Sequence, residues 1–290
     1  MTGRRVALAT YAQLPQLAPD DRPLVPALAA LGIAAEPVVW DNRAAGWNGF
    51  DAVVVRSCWD YHLRVGRFLD WLAAVESQGV PVINPSTLLR WNADKRYLLD
   101  LAARGISIVP TRVVAHGDRV TLAQLLDQLG IEQAVVKPAV SASAHATWRT
   151  SRLAAETDEN RFRALVAAGD VLVQPLVREV AEAGEWSLIC FGGEASHAVL
   201  KRPAPGDWRV QGELGGTAEI REAPASLLES AGRVLAAARA EACTYARVDG
   251  CLVDGRFTLM ELELIEPQLY LGLEPHAAGR FARAIAAALA

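Results

Sequence analysis

The chain has almost no lysine: of its 29 basic residues, only Lys95, Lys137 and Lys201 are lysines. Where arginine serves as the general surface cation, a retained lysine marks either chance or a place for a compact point charge, such as a crowded phosphate, and the surroundings of each lysine decide. Cysteine is also sparse, and positions 58, 190, 243 and 251 form no CxxC spacing. The five histidines form no HExxH. These absences argue against a Cys/His zinc site and against a disulfide framework. No apolar run approaches the roughly 20 residues of a membrane helix. Arg4-Arg5 before Val6–Ala9 mimics a signal peptide, but Gln13 and Pro15 end the run, so a first strand and a cytoplasmic protein are expected. No GxGxxG follows that strand, and no lysine stands in a Walker A motif.

What is present is a globular chain of 290 residues, 52% hydrophobic and 21% charged, with net charge −4. That length suits one large domain or two to three small ones. Mild acidity argues against a nucleic-acid partner, and neither a nucleic acid nor a membrane is expected.

Strand and helix patterns alternate through the first ninety residues. Strands are expected at Val6–Thr10, Ala35–Trp40, Asp51–Arg56 and Val80–Asn84. Between them lie a helix capped by Asp20 or Asp21 and another carrying Val65, Phe68, Leu69, Leu72 and Val75. Such alternation predicts a parallel sheet covered by helices, with the strand end Arg56-Ser57-Cys58-Trp59-Asp60 on the binding edge. Arg56, Ser57, Trp59 and Asp60 are therefore candidate substrate contacts, although Trp59 and Tyr61 serve equally well to close a core. The pattern changes near Asn92. An apolar strand Ala134–Pro138 carries Lys137 and meets a run of small residues, Ala139–Ala146. Another strand spans Val171–Val177, followed by strands at Ser187–Phe191 and Ala195–Leu200 and a helix over Pro224–Glu241. Three units are expected: 1–91, 92–177 and 178–290.

The last hairpin, Ala246–Leu264, holds the strongest chemical signal. Alternation along Phe257–Ile265 places Glu261 and Glu263 on one face with Leu259 and Ile265, and Met260, Leu262 and Leu264 on the other. Two carboxylates in apolar surroundings repel and are poorly solvated, and a divalent cation would neutralise both. An exposed amphipathic strand with solvated glutamates is the alternative. Asp249 precedes them across Asp254-Gly255, a hairpin turn. A two-residue loop pairs 249 with 260, which turns Asp249 away. A three-residue loop with a glycine bulge pairs it with Glu261, as a metal site requires. An all-oxygen site suits magnesium, with one or two ions, or manganese.

These pieces resemble the ATP-grasp ligases in order and spacing: Asn92-Ala93-Asp94-Lys95, Val135-Val136-Lys137-Pro138, the small-residue loop, Val173–Val177, Gly184–Ser187, then Asp249 and Glu261-Leu262-Glu263. The likeness is greatest to the glutathione-synthetase-like branch, which includes ribosomal-protein glutamate ligases. Within it, RSCWDYHLRVGRFLDWL and NPSTLLRWNADKRYL look most like the cycloserine-synthetase (O-ureidoserine cyclo-ligase) subgroup. The resemblance implies an α/β fold, α+β in its C-terminal part: a parallel N-terminal domain, then two α+β subdomains clasping ATP. It implies that Lys95 and Lys137 contact ATP phosphates beneath a loop containing Ser141 and Ser143. Gln174, Leu176 and Val177 would form the hinge facing adenine, with Glu185 or Glu182 at the ribose. Asp249, Glu261 and Glu263 would hold magnesium, and Lys201, Arg209 and Gln211 would meet phosphate or the reacting acyl group. Arg247 is the candidate for the acyl phosphate and substrate carboxylate, with an ion pair to Glu263 as its structural alternative. The implied reaction activates a carboxylate as an acyl phosphate and captures it with nitrogen, on a small amino-acid-like substrate, in a monomer or homodimer. A peptide- or protein-tailoring ligase and a non-catalytic ATP-binding regulator are the competing readings.

Overall fold

A computed structural model describes residues 3–290 and shows three sheets laid down in chain order. The first contains β1 (Arg5–Thr10), α1 (Leu24–Ala29), β2 (Ala34–Val39), β3 (Ala52–Ser57), α2 (Val65–Ser77) and β4 (Val82–Ile83). Its strands are parallel in the order β2-β1-β3-β4. Every residue of β3 is buried, as its unbroken apolar run requires for a strand covered on both faces. The helix α1 begins after Pro23 without a side-chain cap. Asp21, expected as that cap, instead turns inward to Arg56.

Helices α3 (Ser86–Asn92) and α4 (Tyr97–Ala103) lead to the second sheet. It comprises β5 (Arg112–Val114), α5 (Leu122–Leu129), β6 (Gln133–Pro138), β7 (Trp148–Ser151), α6 (Ala155–Ala168) and β8 (Val171–Pro175), with antiparallel order β5-β8-β6-β7. A reciprocal Thr121/Gln124 capping box starts α5, and Gly130 in the left-handed region ends it. The third sheet follows α7 (Glu179–Ala183): β9 (Glu185–Phe191), β10 (Glu194–Arg202), β11 (Thr217–Ile220), α8 (Ala225–Ala238), β12 (Tyr245–Val253) and β13 (Arg256–Glu263). Its order is β11-β10-β9-β12-β13. The final helix, α9 (Ala277–Ala288), packs on α1 and also on β9 and β10, so it bridges the first and third layers. Phe281 and Ile285 share one core with Val6, Leu8, Leu24 and Tyr245. The boundary drawn at 178–290 therefore divides the sequence but not the packing.

The β12–β13 hairpin corrects one expectation. Its loop has two residues, Asp254 and Gly255, both at positive φ (49° and 74°), and Val253 pairs with Arg256. Asp249 nevertheless pairs with Glu261, because the register shifts between Asp249 and Gly250 and leaves Met260 as an extra residue. A bulge inside the strand supplies the offset assigned above to the turn. The bulge also reverses faces before it. Leu259 joins the core of Leu262 and Leu264, while Met260 packs toward Val180, Val210 and Cys251.

Candidate active site

The second and third sheets enclose a cleft of about 550 Å³ whose far end reaches Trp59 and Tyr61 of the first layer. All three lysines line it. Lys95, after α3, donates to the Glu261 carboxylate (2.6 Å) and to the Ser141 carbonyl (2.7 Å). Burial opposes its charge, but Glu261 outweighs that and raises its pKa above the ordinary lysine value. Lys201 on β10 donates to Glu185 (2.5 Å) and Asp249 (3.3 Å), and these acids carry its pKa upward against the same burial. Lys137 differs. Among the described residues it makes no ion pair, and burial lowers its pKa to about 8. Its ammonium projects into the cleft without a protein partner, as a group awaiting an anion would.

Ser141, Ser143, Gln174, Leu176, Val177, Glu185, Arg209, Gln211, Arg247, Asp249, Glu261 and Glu263 also line this space. Ser143, Ala144 and Ala146 hold positive φ of 48°, 53° and 52°, so the small-residue loop has a defined left-handed path without glycine. Gln174 is oriented by donating to Thr111 Oγ1 (2.7 Å). Arg209 lies against Asp207 within its own loop (2.9 Å). Glu182 is exposed on α7 and does not line the cleft, whereas Glu185 does.

The strand end of β3 departs from expectation. Arg56 is fully buried, donating to Asp21 Oδ1 from Nε (3.1 Å) and Nη2 (2.8 Å) and to the Pro267 carbonyl (2.7 Å). Ser57 donates to Asp21 Oδ2 (2.7 Å) and accepts from the Ala18 amide (2.9 Å). Asp60 accepts from Trp40 Nε1 (2.8 Å) and from Arg64. None of the three faces the cleft; Trp59 does. A buried arginine needs a carboxylate, and Asp21 supplies it from a loop 35 residues earlier, a pairing invisible to local spacing.

The acidic end is crowded. Arg247 on β12 binds Asp249 through Nε (3.0 Å) and Nη2 (2.9 Å), the Gln268 carbonyl through Nη1 (3.0 Å), and Glu263. Asp249 also accepts from Ser187 (2.6 Å) and lies below the usual carboxylate range: Arg247 and Lys201 outweigh its burial. Glu263 is raised by burial and by the neighbouring charges of Glu261, Asp249 and Glu266. Among the described residues no three His, Cys, Asp or Glu side chains stand ready-arranged around a metal. The expected ligand set fits a divalent cation in part. Glu261 and Glu263 reach the cleft with 30% and 23% of their side chains exposed, and the surplus of buried carboxylate favours a cation there. Asp249, 3% exposed and enclosed by Arg247, Lys201 and Ser187, does not fit as a ligand in this arrangement.

Sequence reasoning overlooked Glu266, Gln268 and Tyr270, which also line the cleft. Their alternation after Glu263 was the available signal.

Two antiparallel sheets closing on a lysine-lined cleft behind a parallel layer are the architecture of the ATP-grasp ligases, enzymes that use ATP to join a carboxylate to nitrogen. D-alanine–D-alanine ligase from Bacillus anthracis shares the fold at TM-score 0.70 and 17% identity, over 99% of this chain and 95% of that one. Residues 6–84 match the family described as the N-terminal domain of D-cycloserine synthetase DcsG. Over 297 aligned positions the chain is 35% identical to the cycloserine biosynthesis protein DcsG of Streptomyces lavendulae, covering 97% of each. The crystal structure of D-cycloserine synthetase DcsG superposes at TM-score 0.90 and 34% identity, over 99% of this chain and 100% of that one. The chain belongs to the DcsG family of ATP-grasp ligases.

Proposed function

We propose that this enzyme closes a ring on O-ureidoserine or a similar small amino acid, activating its carboxylate with ATP. The unpartnered Lys137 ammonium, aimed into a cleft whose other cations are neutralised by carboxylates, carries this reading. In it, Lys137 and Lys95 hold the nucleotide's phosphates under the Ser141–Ala146 loop, and the Gln174–Val177 segment takes the adenine. Glu261 and Glu263 are the groups that would hold magnesium, which when bound supplies charge neutralisation at the phosphates.

A substrate carboxylate oxygen attacks the γ-phosphorus and ADP leaves. A nitrogen of the same molecule then attacks the acyl carbon, and phosphate leaves. Both steps depend on positioning and charge more than on covalent help. Arg247, held by Asp249 and Glu263, is the group this reading assigns to the acyl phosphate. The cleft, about 550 Å³, is of the size of a small-molecule site.

The test is ADP release by the full chain with ATP, magnesium and O-ureidoserine of either configuration. Substrate-dependent release with cyclic product supports the reading. ATP binding without turnover on any amino acid overturns it in favour of a regulator. Turnover that requires a peptide overturns it in favour of a tailoring ligase.

A further inference from the structure

The segment that follows β13 is clamped with unusual completeness. Tyr245 donates to the Ile265 carbonyl (2.9 Å), Arg56 to Pro267 (2.7 Å), Arg247 to Gln268 (3.0 Å) and His197 to Leu269 (2.9 Å). Asp20 then accepts from the Gly272 amide (3.1 Å). These anchors come from the first layer and from β10 and β12, so the segment is a rigid strap joining both. Its side chains alternate. Pro267, Leu269 and Leu271 are buried, whereas Glu266, Gln268 and Tyr270 line the cleft.

Among the described residues, Glu266 has no ion-pair partner for its charge. Glu261 has Lys95, Glu185 has Lys201, and Asp249 and Glu263 share Arg247. Glu266 is 92% buried by its 8% exposure, yet among the described residues its carboxylate forms no ion pair and no hydrogen bond to another side chain. Burial pushes its pKa up to about 7, with only its own backbone amide and the more distant Lys95 and Arg247 opposing. Glu266 lines the same cleft as Trp59 and Tyr61. A buried, unmatched carboxylate facing a cavity is costly without a cation to receive.

We propose that the Glu266 carboxylate binds the α-ammonium group of the amino-acid substrate, beside Trp59 and Tyr61, and so directs the substrate's own carboxylate toward Lys95 and Arg247. The assignment makes Glu266 a specificity-determining residue: it selects a zwitterion over a simple carboxylic acid. It also gives the Asp21–Arg56 pair a positioning role, since Arg56 fixes the carbonyl next to Glu266. The proposal rests on the amino-acid ligase reading above.

The experiment compares O-ureidoserine with its des-amino analogue, 3-(ureidooxy)propanoate, on the wild-type chain and on Glu266→Gln and Glu266→Leu. Substrate-dependent ADP release by the wild type tests the reading on its own. Given that activity, each variant is expected to raise KM for O-ureidoserine on the order of 10- to 100-fold while KM for ATP changes less than about twofold. The wild type should favour O-ureidoserine over the analogue, and both variants should lose that preference. Unchanged KM for O-ureidoserine, an equal rise in KM for ATP, or a retained preference for the α-amine would overturn the proposal. Unaltered nucleotide binding by the variants shows that they fold.

Discussion

Lys137 sits in surroundings that oppose its charge. Its pKa of about 8 lies below the ordinary 10.5, so across that window the unfolded chain binds more protons than the folded one. Stability of the nucleotide-free protein should therefore rise with pH between these values, and this contribution is lost below pH 8. Phosphates arriving beside Lys137 restore its proton. Nucleotide binding at pH 8.5 should accordingly take up protons, read as a dependence of binding enthalpy on buffer ionisation, and Lys137→Met should abolish the uptake. The same substitution is expected to lower kcat/KM about 10²- to 10³-fold, in the range seen when one donor to a developing anion is removed. The scarcity of lysine drew attention to this residue together with Lys95 and Lys201, because composition is a property of the sequence itself. Arg56 shows the opposite case. Its place at the end of a buried strand was legible, but its partner Asp21 comes from another loop, so its direction was not. Glu266 escaped notice because nothing in the string shows which carboxylates lack a cation.

The β12–β13 hairpin shows how much an element can alter while its boundaries hold. Both strands and the Asp254-Gly255 turn follow from pattern and turn chemistry. The extra residue does not, because a bulge is a compromise between neighbours and leaves no composition of its own. Gly250 is the neighbour that permits it. A Cβ there would stand 2.5 Å from the Thr258 carbonyl oxygen and from the Phe257 ring. Gly250→Ala should thus cost about 1–3 kcal/mol through overpacking. Equilibrium denaturation measures that loss, and ADP release should fall further than stability alone explains, since Glu261 is displaced with the strand.

At the scale of the whole molecule, the buried Asp21–Arg56 pair and α9 join the two ends of the chain. Asp21→Ala leaves the Arg56 guanidinium buried without its carboxylate and should destabilise by about 3–5 kcal/mol in chemical denaturation. A direct substrate role for Arg56 would instead show a large KM effect at unchanged stability. A fragment ending at residue 91 would expose the face that α9 covers, and it should fail to give the cooperative melt of the intact protein. The order of layers could be read from the alternation of strands and helices and from the change near Asn92. The return of α9 to the first layer could not, because an alanine-rich amphipathic helix carries no mark of which apolar surface it will meet.

The route by which the chain enters and leaves the second sheet has a mechanical consequence. It enters at β5 and exits at β8, which are adjacent antiparallel strands, Arg112 opposite Val173. On the entering side the backbone is stitched to β13 as far as Val109, whose amide donates to the Leu259 carbonyl (3.1 Å). A body carried on two neighbouring stalks can tilt about the line between them but cannot slide along it. The opposite rim is tied as well, by the Lys95 amide to the Ala139 carbonyl (2.8 Å) and by the Lys95 ammonium to the Ser141 carbonyl (2.7 Å), so any such tilt has to break both bonds before the rim over Ser141–Ala146 can lift.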